Sequence, residues 1–304
     1  MSTIIIHEVG LRDGLQMEKQ IVPMAQKAKW VEGLIDAGVD IIQLGSFVHP
    51  AKMPQMADTD GLFSYFTERN LQDVTLSGLV LNEKGFERGL ACGVEMFCMG
   101  VSASETHSQK NTGMSIADAT SVVLGMARKA LALRKTVQAS VQSAFGCGYE
   151  GEIPASRVIH IVERYLDAGI KHISLADTAG HATPDKVEEL FGTILELDDN
   201  IECACHFHNT YGLGLANTYA AMKAGVKCVE SSIAGLGGCP FAKVAGGNVC
   251  TEDLVHMLQR MDLRHDINLG TLIDLAVDVS TFFGREMPGM VYKTGPILAG
   301  EIIT

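Results

Sequence analysis

Asp36-Ala37-Gly38-Val39-Asp40 closes one kind of segment and opens another. Before it, 23–37 repeats apolar residues at helical spacing; after it, 40–46 is a short apolar run broken by glycine. The same junction returns as Ala91-Cys92-Gly93-Val94-Glu95, Asp167-Ala168-Gly169-Ile170-Lys171 and Lys223-Ala224-Gly225-Val226-Lys227. A glycine after the last apolar turn of a helix takes the left-handed conformation that ends it. A β-branched residue directly after it opens a short buried run, as parallel strands require. The repeating unit is one βα module.

Working outward, strand-like runs fall at 3–9, 40–46, 74–80, 94–100, 136–143, 171–176, 202–207 and 227–232. Helix-like stretches fall at 23–37, 54–69, 83–92, 113–132, 154–168, 182–196, 211–224 and 250–261. Pro23, Pro154 and Pro184 sit at helix starts, where a missing N–H costs nothing. Eight modules predict an α/β fold, a closed (β/α)8 TIM barrel. An open doubly wound sheet would carry a G-x-G-x-x-G turn after its first strand, and none stands there. One catalytic domain is expected over 1–304, with 265–304 a short C-terminal helical extension and tail packed on the barrel.

Composition narrows the function. The 304 residues are 47% hydrophobic, include 32 glycines and carry a formal net charge of −12. Such an acidic chain is poorly suited to nucleic acid or to anionic membranes. No run of 18 apolar residues is present to span a bilayer. Met1–Ile6 enters a strand-like run with no basic-then-apolar leader. The eight cysteines are scattered without a Cys-x-x-Cys pair, which favours reduced thiols and a cytoplasmic setting over a disulfide scaffold.

In a barrel of this kind, reacting groups collect at the C-terminal ends of the strands. Glu8-Val9-Gly10-Leu11-Arg12-Asp13-Gly14 follows the first. Taken alone, Arg12 and Asp13 read more readily as a structural ion pair than as a functional one. Cys205-His206-Phe207-His208-Asn209 ends the seventh. Two residues apart on a strand, His206 and His208 share a face, and paired neutral imidazoles make a metal chelate; Phe207 points into the barrel wall. After the sixth strand, Asp177 is a candidate acid or a helix cap. After the eighth, the glycine-dense 234–247 carries Cys239 as a candidate reactive thiol on a lid, and Asn248 offers a carbonyl oxygen. Asp13, His206, His208 and Asn248 form a mixed nitrogen and oxygen set. It suits six-coordinate Mg2+ or Mn2+; Co2+ competes, and Zn2+ would lack its preferred thiolates.

These same residues resemble the 3-hydroxy-3-methylglutaryl-CoA (HMG-CoA) lyase family. The resemblance runs through Glu8–Gln16, Ser46–Pro50, Phe145–Gly151, Ser174–Gly180, Ala234–Ala242 and Gly247-Asn248 with Thr251-Glu252-Asp253, from residue 5 to about 260. The Gly-Leu-Gly-Gly-Cys-Pro loop at 235–240 is its most specific piece. Arg-Asp-Gly and His-x-His are shared more widely with metal-dependent Claisen-type synthases and aldolases on the same barrel. The resemblance implies Asp13, His206, His208 and Asn248 as metal ligands and Arg12 as the group stabilising a thioester enolate. It implies Cys239 on the catalytic loop and Asp177 in proton transfer. Two positions depart from it. The family's strand-2 glutamate is Gln43 here, a neutral substrate-binding candidate, and the aspartate after the second histidine is Asn209.

The expected substrate is a 3-hydroxyacyl-CoA with a distal carboxylate, cleaved to acetyl-CoA and a keto acid. Asp177 or His206 would take the hydroxyl proton, and Cys239 would return one to carbon. Lys52, Lys110 and Lys243 are candidates to meet CoA phosphates, although each taken singly reads more readily as a solvated surface lysine. The resemblance also implies a homodimer or larger homo-oligomer. A condensing acyltransferase on the same barrel and a catalytically silent CoA-ester-binding barrel are the competing readings.

Overall fold

The computed structural model describes residues 4–69, 71, 73–238 and 247–297. Eight parallel strands close a barrel in sequence order: β1 (Ile5–Glu8), β2 (Ile41–Ser46), β3 (Thr75–Leu79), β4 (Met96–Ser102), β5 (Thr136–Gln142), β6 (His172–Asp177), β7 (Glu202–Phe207) and β8 (Cys228–Ser231). Closure is made by β8 against β1, with Ile5 opposite Cys228 and Glu8 opposite Ser231. The strand runs read from sequence match these within two residues at each end. The junction glycines behave as their position demands: Gly38, Gly93, Gly169 and Gly225 all have φ between +78° and +113°.

Helices cover the outside, and the eight expected ones form. The stretch at 54–69 is broken, however. A 3-10 turn, Pro54–Met56, precedes the helix Thr59–Thr67. A short helix, Glu105–Thr112, was not expected. Ser104 starts it by accepting the His107 N–H at 3.1 Å, before Ile116–Ala132 begins after the Ser115 cap. In the C-terminal segment, the helix Leu269–Phe283 packs on Met24–Ala37. The Trp30 indole donates to Asp278 at 2.8 Å and meets Phe282 edge-on at 5.4 Å. No described helix is long and apolar enough to cross a membrane.

The apolar core lies mainly between strands and helices, where Trp30, Phe63, Phe97, Tyr165, Phe191 and Phe207 are fully buried. Each such side chain contributes roughly 1.5–3 kcal/mol of hydrophobic stabilisation. Toward the site, the inside of the barrel is polar instead. His7 on β1 meets Ser77 on β3 at 2.8 Å, and Gln138 on β5 donates to Glu230 on β8 at 2.6 Å. These strands are not neighbours, so the bonds run across the interior. Buried polar groups persist only when partnered, and here they form the floor beneath the strand ends where the candidate ligands stand.

Candidate metal centre and active site

The chain leaves β1 through a single π-helical turn, Gly10–Gly14. This turn swings Arg12 and Asp13 over the barrel mouth. Val9 accepts the backbone N–H groups of Arg12 and Asp13 at 3.0 and 2.7 Å. Asp13 Oδ1 accepts from Arg12 Nη1 at 2.5 Å and from Gln16 Nε2 at 3.1 Å. Its Oδ2 lies 3.8 Å from His206 Nε2 and 4.0 Å from His208 Nε2, and the two Nε2 atoms are 3.3 Å apart. One ligand atom from each of Asp13, His206 and His208 thus falls within 4.8 Å of the others, in a buried group. Period-two alternation along β7 places both rings there, while Phe207 between them packs on Phe145 outside at 5.7 Å.

Asn248 adjoins the group. His208 and Asn248 form an antiparallel bridge, so the backbone delivers the amide to the site. Its Nδ2 donates to Asp13 Oδ2 and to the Leu236 carbonyl, both at 3.0 Å. Its Oδ1 is buried with no hydrogen-bond partner among the described residues. A buried acceptor left unpaired is costly, and a cation would satisfy it. One carboxylate oxygen, two imidazole nitrogens and one amide oxygen fit a hard or borderline divalent ion.

Electrostatics agree with that fit. Burial alone would raise the Asp13 carboxyl. The charges of Arg12 and His206, with the Asn248 hydrogen bond, instead hold it well below the ordinary carboxylate range. Burial lowers His208 to about 4, helped by the neighbouring His206 charge, so this ring is neutral and free to ligate. His206 moves the other way. Burial would lower it, but the hydrogen bond and charge of Glu230 raise it.

Glu230 was not singled out by the sequence. Its carboxylate lies 2.8 Å from His206 Nδ1 and also accepts from Ser174 Oγ and Gln138 Nε2 at 2.7 and 2.6 Å. Burial alone would raise this carboxyl, yet the His206 hydrogen bond and nearby imidazole charges bring it to about 2.

Gln43 is 2% exposed and is not among the residues lining the cavity. Its Oε1 accepts from Arg12 Nε, so it holds the guanidinium that lines the cavity. Asp177 also stands behind the cavity wall. Its two oxygens accept the backbone N–H groups of His181 and Ala182 at 2.8 and 3.0 Å, and Ala176 and Thr178 line the cavity on either side of it. These bonds close the turn after β6; the following helix, Pro184–Leu195, has Thr183 at its N-cap position, so Asp177 is not its cap. Asn209 Oδ1 accepts the Gly214 N–H at 2.9 Å, an acceptor role that a neutral amide fills as well as a carboxylate. Cys239 and Lys243 lie outside the described residues. Lys110 sits 4.0 Å over the Tyr149 ring.

Above the ligands opens a cavity of about 320 Å3. Arg12, Asp13, His206, His208 and Glu230 line its base. Ser46, Ser140 and Ser174 present hydroxyls, and Val48, Met53, Leu79 and Leu81 form an apolar wall. A group able to hold a cation, a fixed guanidinium and an apolar wall together suit a small anionic acyl group whose reaction builds negative charge on oxygen.

Comparison with known proteins points the same way. Residues 3–279 match the family model described as HMGL-like. The chain is 35% identical to the hydroxymethylglutaryl-CoA lyase YngG of Bacillus subtilis, covering 94% of this chain and 95% of the relative. It is also 35% identical to the (R)-citramalyl-CoA lyase of Chloroflexus aurantiacus, covering 98% and 96%. Among solved structures, an HMG-CoA lyase from Acinetobacter baumannii in complex with coenzyme A and 3-methylmalate superposes with a TM-score of 0.91. It is 34% identical and is matched over 99% of this chain and 98% of that one.

Proposed function

The chain belongs to the HMGL-like family, and from that premise we propose that it is a divalent-metal-dependent carbon–carbon lyase cleaving HMG-CoA to acetyl-CoA and acetoacetate. The observation that carries this is the buried Asp13, His206 and His208 group with Arg12 Nη1 bound to Asp13 at 2.5 Å. A divalent ion bound by these residues and by Asn248 Oδ1 supplies the Lewis acidity that lowers the pKa of the substrate hydroxyl. Mg2+ or Mn2+ matches the donor set best.

The side chains supply the rest. Nδ1 of His206 is committed to Glu230 and its Nε2 to the cation, so this ring holds the ligand set and the hydroxyl proton would leave to solvent through the cavity; Asp177, with both oxygens held by backbone N–H groups, shapes the turn after β6. The alkoxide collapses to a ketone, the C2–C3 bond breaks, and its electron pair passes to the thioester as an enolate. Arg12 offers fixed positive charge where that oxyanion develops. Protonation of the enolate carbon gives acetyl-CoA. We keep Cys239 for this step on the resemblance alone. A homo-oligomeric state rests on the resemblance too. The described cysteines are all unpaired, which supports a reducing compartment such as the cytoplasm.

The likeness to a citramalyl-CoA lyase and the neutral Gln43 favour a second substrate for the same chemistry: citramalyl-CoA, whose carboxylate sits directly on the hydroxyl carbon. The condensing direction and a silent binding barrel are not favoured, because both curated relatives above are lyases and the ligand group is complete. The test is a purified-enzyme assay for acetyl-CoA release from each thioester, before and after chelation. HMG-CoA cleavage should vanish on exhaustive chelation and return with Mg2+ or Mn2+. Full activity without metal, or no cleavage of either thioester with metal restored, would refute the assignment.

A further inference from the structure

The two histidines of the centre are held in different ways. His206 and Glu230 are register partners on the adjacent strands β7 and β8, so one strand spacing separates them and a glutamate spans it. Glu230 Oε2 meets His206 Nδ1 at 2.8 Å. The other oxygen, Oε1, already accepts from Ser174 Oγ and Gln138 Nε2. Donors from β5, β6 and β7 therefore converge on one buried anion. An ionised carboxylate can only accept, so Nδ1 carries the ring proton and donates it. The lone pair is left on Nε2, the atom that faces Asp13 and His208.

His208 has no counterpart to Glu230. Its Nδ1 is buried and makes no hydrogen bond among the described residues. Its position comes from main chain, through the bridge to Asn248. One imidazole is thus anchored through its side chain to the barrel wall, and the other through its backbone to the segment after β8.

We propose that Glu230 is a positioning residue of the centre, fixing His206 with its proton on Nδ1 so that Nε2 is the stronger of the two imidazole donors. The proposal rests on the reading that Asp13, His206 and His208 hold a cation. A carboxylate behind a ligating imidazole sets the tautomer and strengthens the donor, and its loss typically costs ten- to hundredfold in metal affinity or activity. In Glu230→Gln the size is kept and the charge removed, and the new amide can donate to Nδ1 and admit the opposite tautomer.

The test is Mn2+ affinity by calorimetric titration, with ring-nitrogen NMR of the metal-free protein. The wild type should show His206 protonated on Nδ1. Glu230→Gln should bind Mn2+ about ten- to hundredfold more weakly and show mixed tautomers. Glu230→Asp, which restores the charge on a shorter arm, should recover part of the affinity. A purely structural Glu230 would lower the Tm and leave affinity and tautomer alone. Affinity within twofold of wild type in Glu230→Gln overturns the proposal. So does a neutral wild-type His206 whose single ring proton sits on Nε2, a measurement that needs no variant. A wild type that binds no Mn2+ overturns it together with the metal reading. Mn2+ binding that depends on Glu230 without HMG-CoA cleavage supports it and removes only the substrate assignment.

Discussion

Arg12 presents a planar fork held on two edges, by Asp13 at Nη1 and by Gln43 at Nε. Lysine would place a mobile point charge in the same space and could not satisfy both partners at once. Arg12→Lys should therefore lower kcat with HMG-CoA by about a hundredfold or more, in line with loss of an oxyanion-stabilising group, and change KM much less. Steady-state kinetics decide it: a kcat near that of wild type would remove Arg12 from the enolate. The histidine pair was legible in the sequence because the period of a strand is two, and a shared face follows from the spacing alone. Glu230 was not. In Cys228-Val229-Glu230-Ser231 a single acid in a short strand reads like any half-exposed position, and Gln138 and Ser174 come from distant parts of the chain. Asp177 was read as a choice between cap and acid; it instead holds the His181 and Ala182 N–H groups of the turn before the next helix, whose N-cap position is Thr183.

At the scale of elements, the site depends on main chains packed too closely for side chains. The segment 247–250 runs beside the ends of β7 and β8. Gly247 O accepts the Asn209 N–H at 2.8 Å, and Val249 exchanges bonds with Phe207 and Ser232. A Cβ built on Gly247 would stand 1.7 Å from the Gly235 carbonyl oxygen, which is rigid backbone. Gly247→Ala must push these segments apart and carry Asn248 away from Asp13. Overpacking of this kind costs about 1–3 kcal/mol. We expect a lowered Tm and Mn2+ affinity reduced at least tenfold, as when the support of a ligand is lost. Unchanged affinity on titration would show that the close approach does not position Asn248. The π-helical turn is of the same kind: a Cβ on Gly14 would sit 2.6 Å from Leu236 Cβ. Sequence shows a glycine there but not its neighbour. The βα modules were legible throughout because each junction glycine and each apolar run is a local signal. The π-helical form of the turn at 10–14 and the helix Glu105–Thr112 escaped notice, since neither has an apolar period long enough to count.

At the scale of the whole molecule, two buried glutamates, Glu8 from the start of the barrel and Glu252 from the helix after it, hold the turn that follows β8. Glu8 Oε1 accepts the N–H groups of Gly10 and Ile233 at 2.7 and 2.9 Å, and Glu252 Oε2 accepts that of Ala234 at 2.9 Å. Ala234 has φ of +56°, so the clamp holds a strained turn where the chain leaves β8. Burial pushes Glu8 up to about 7, against its hydrogen bonds, and Glu252 up to about 8. A carboxyl raised in the native state keeps its proton there while the unfolded chain, near the ordinary 4.5, has released it. The native state then binds more protons, and stability falls as pH rises from about 4.5 through the native values. His7 works with the opposite sign. Burial lowers it to about 4 from 6.5, so its penalty grows as pH falls below 6.5 and is absent above it. Between pH 6.5 and 8 the glutamates are therefore seen without His7. Glu252→Gln, neutral at every pH, should gain on wild type across that interval, with a slope difference approaching about 1.4 kcal/mol per pH unit at most. Tm measured at half-unit steps in metal-free buffer reads this directly, and parallel curves for the two proteins would mean that Glu252 is already ionised in the fold.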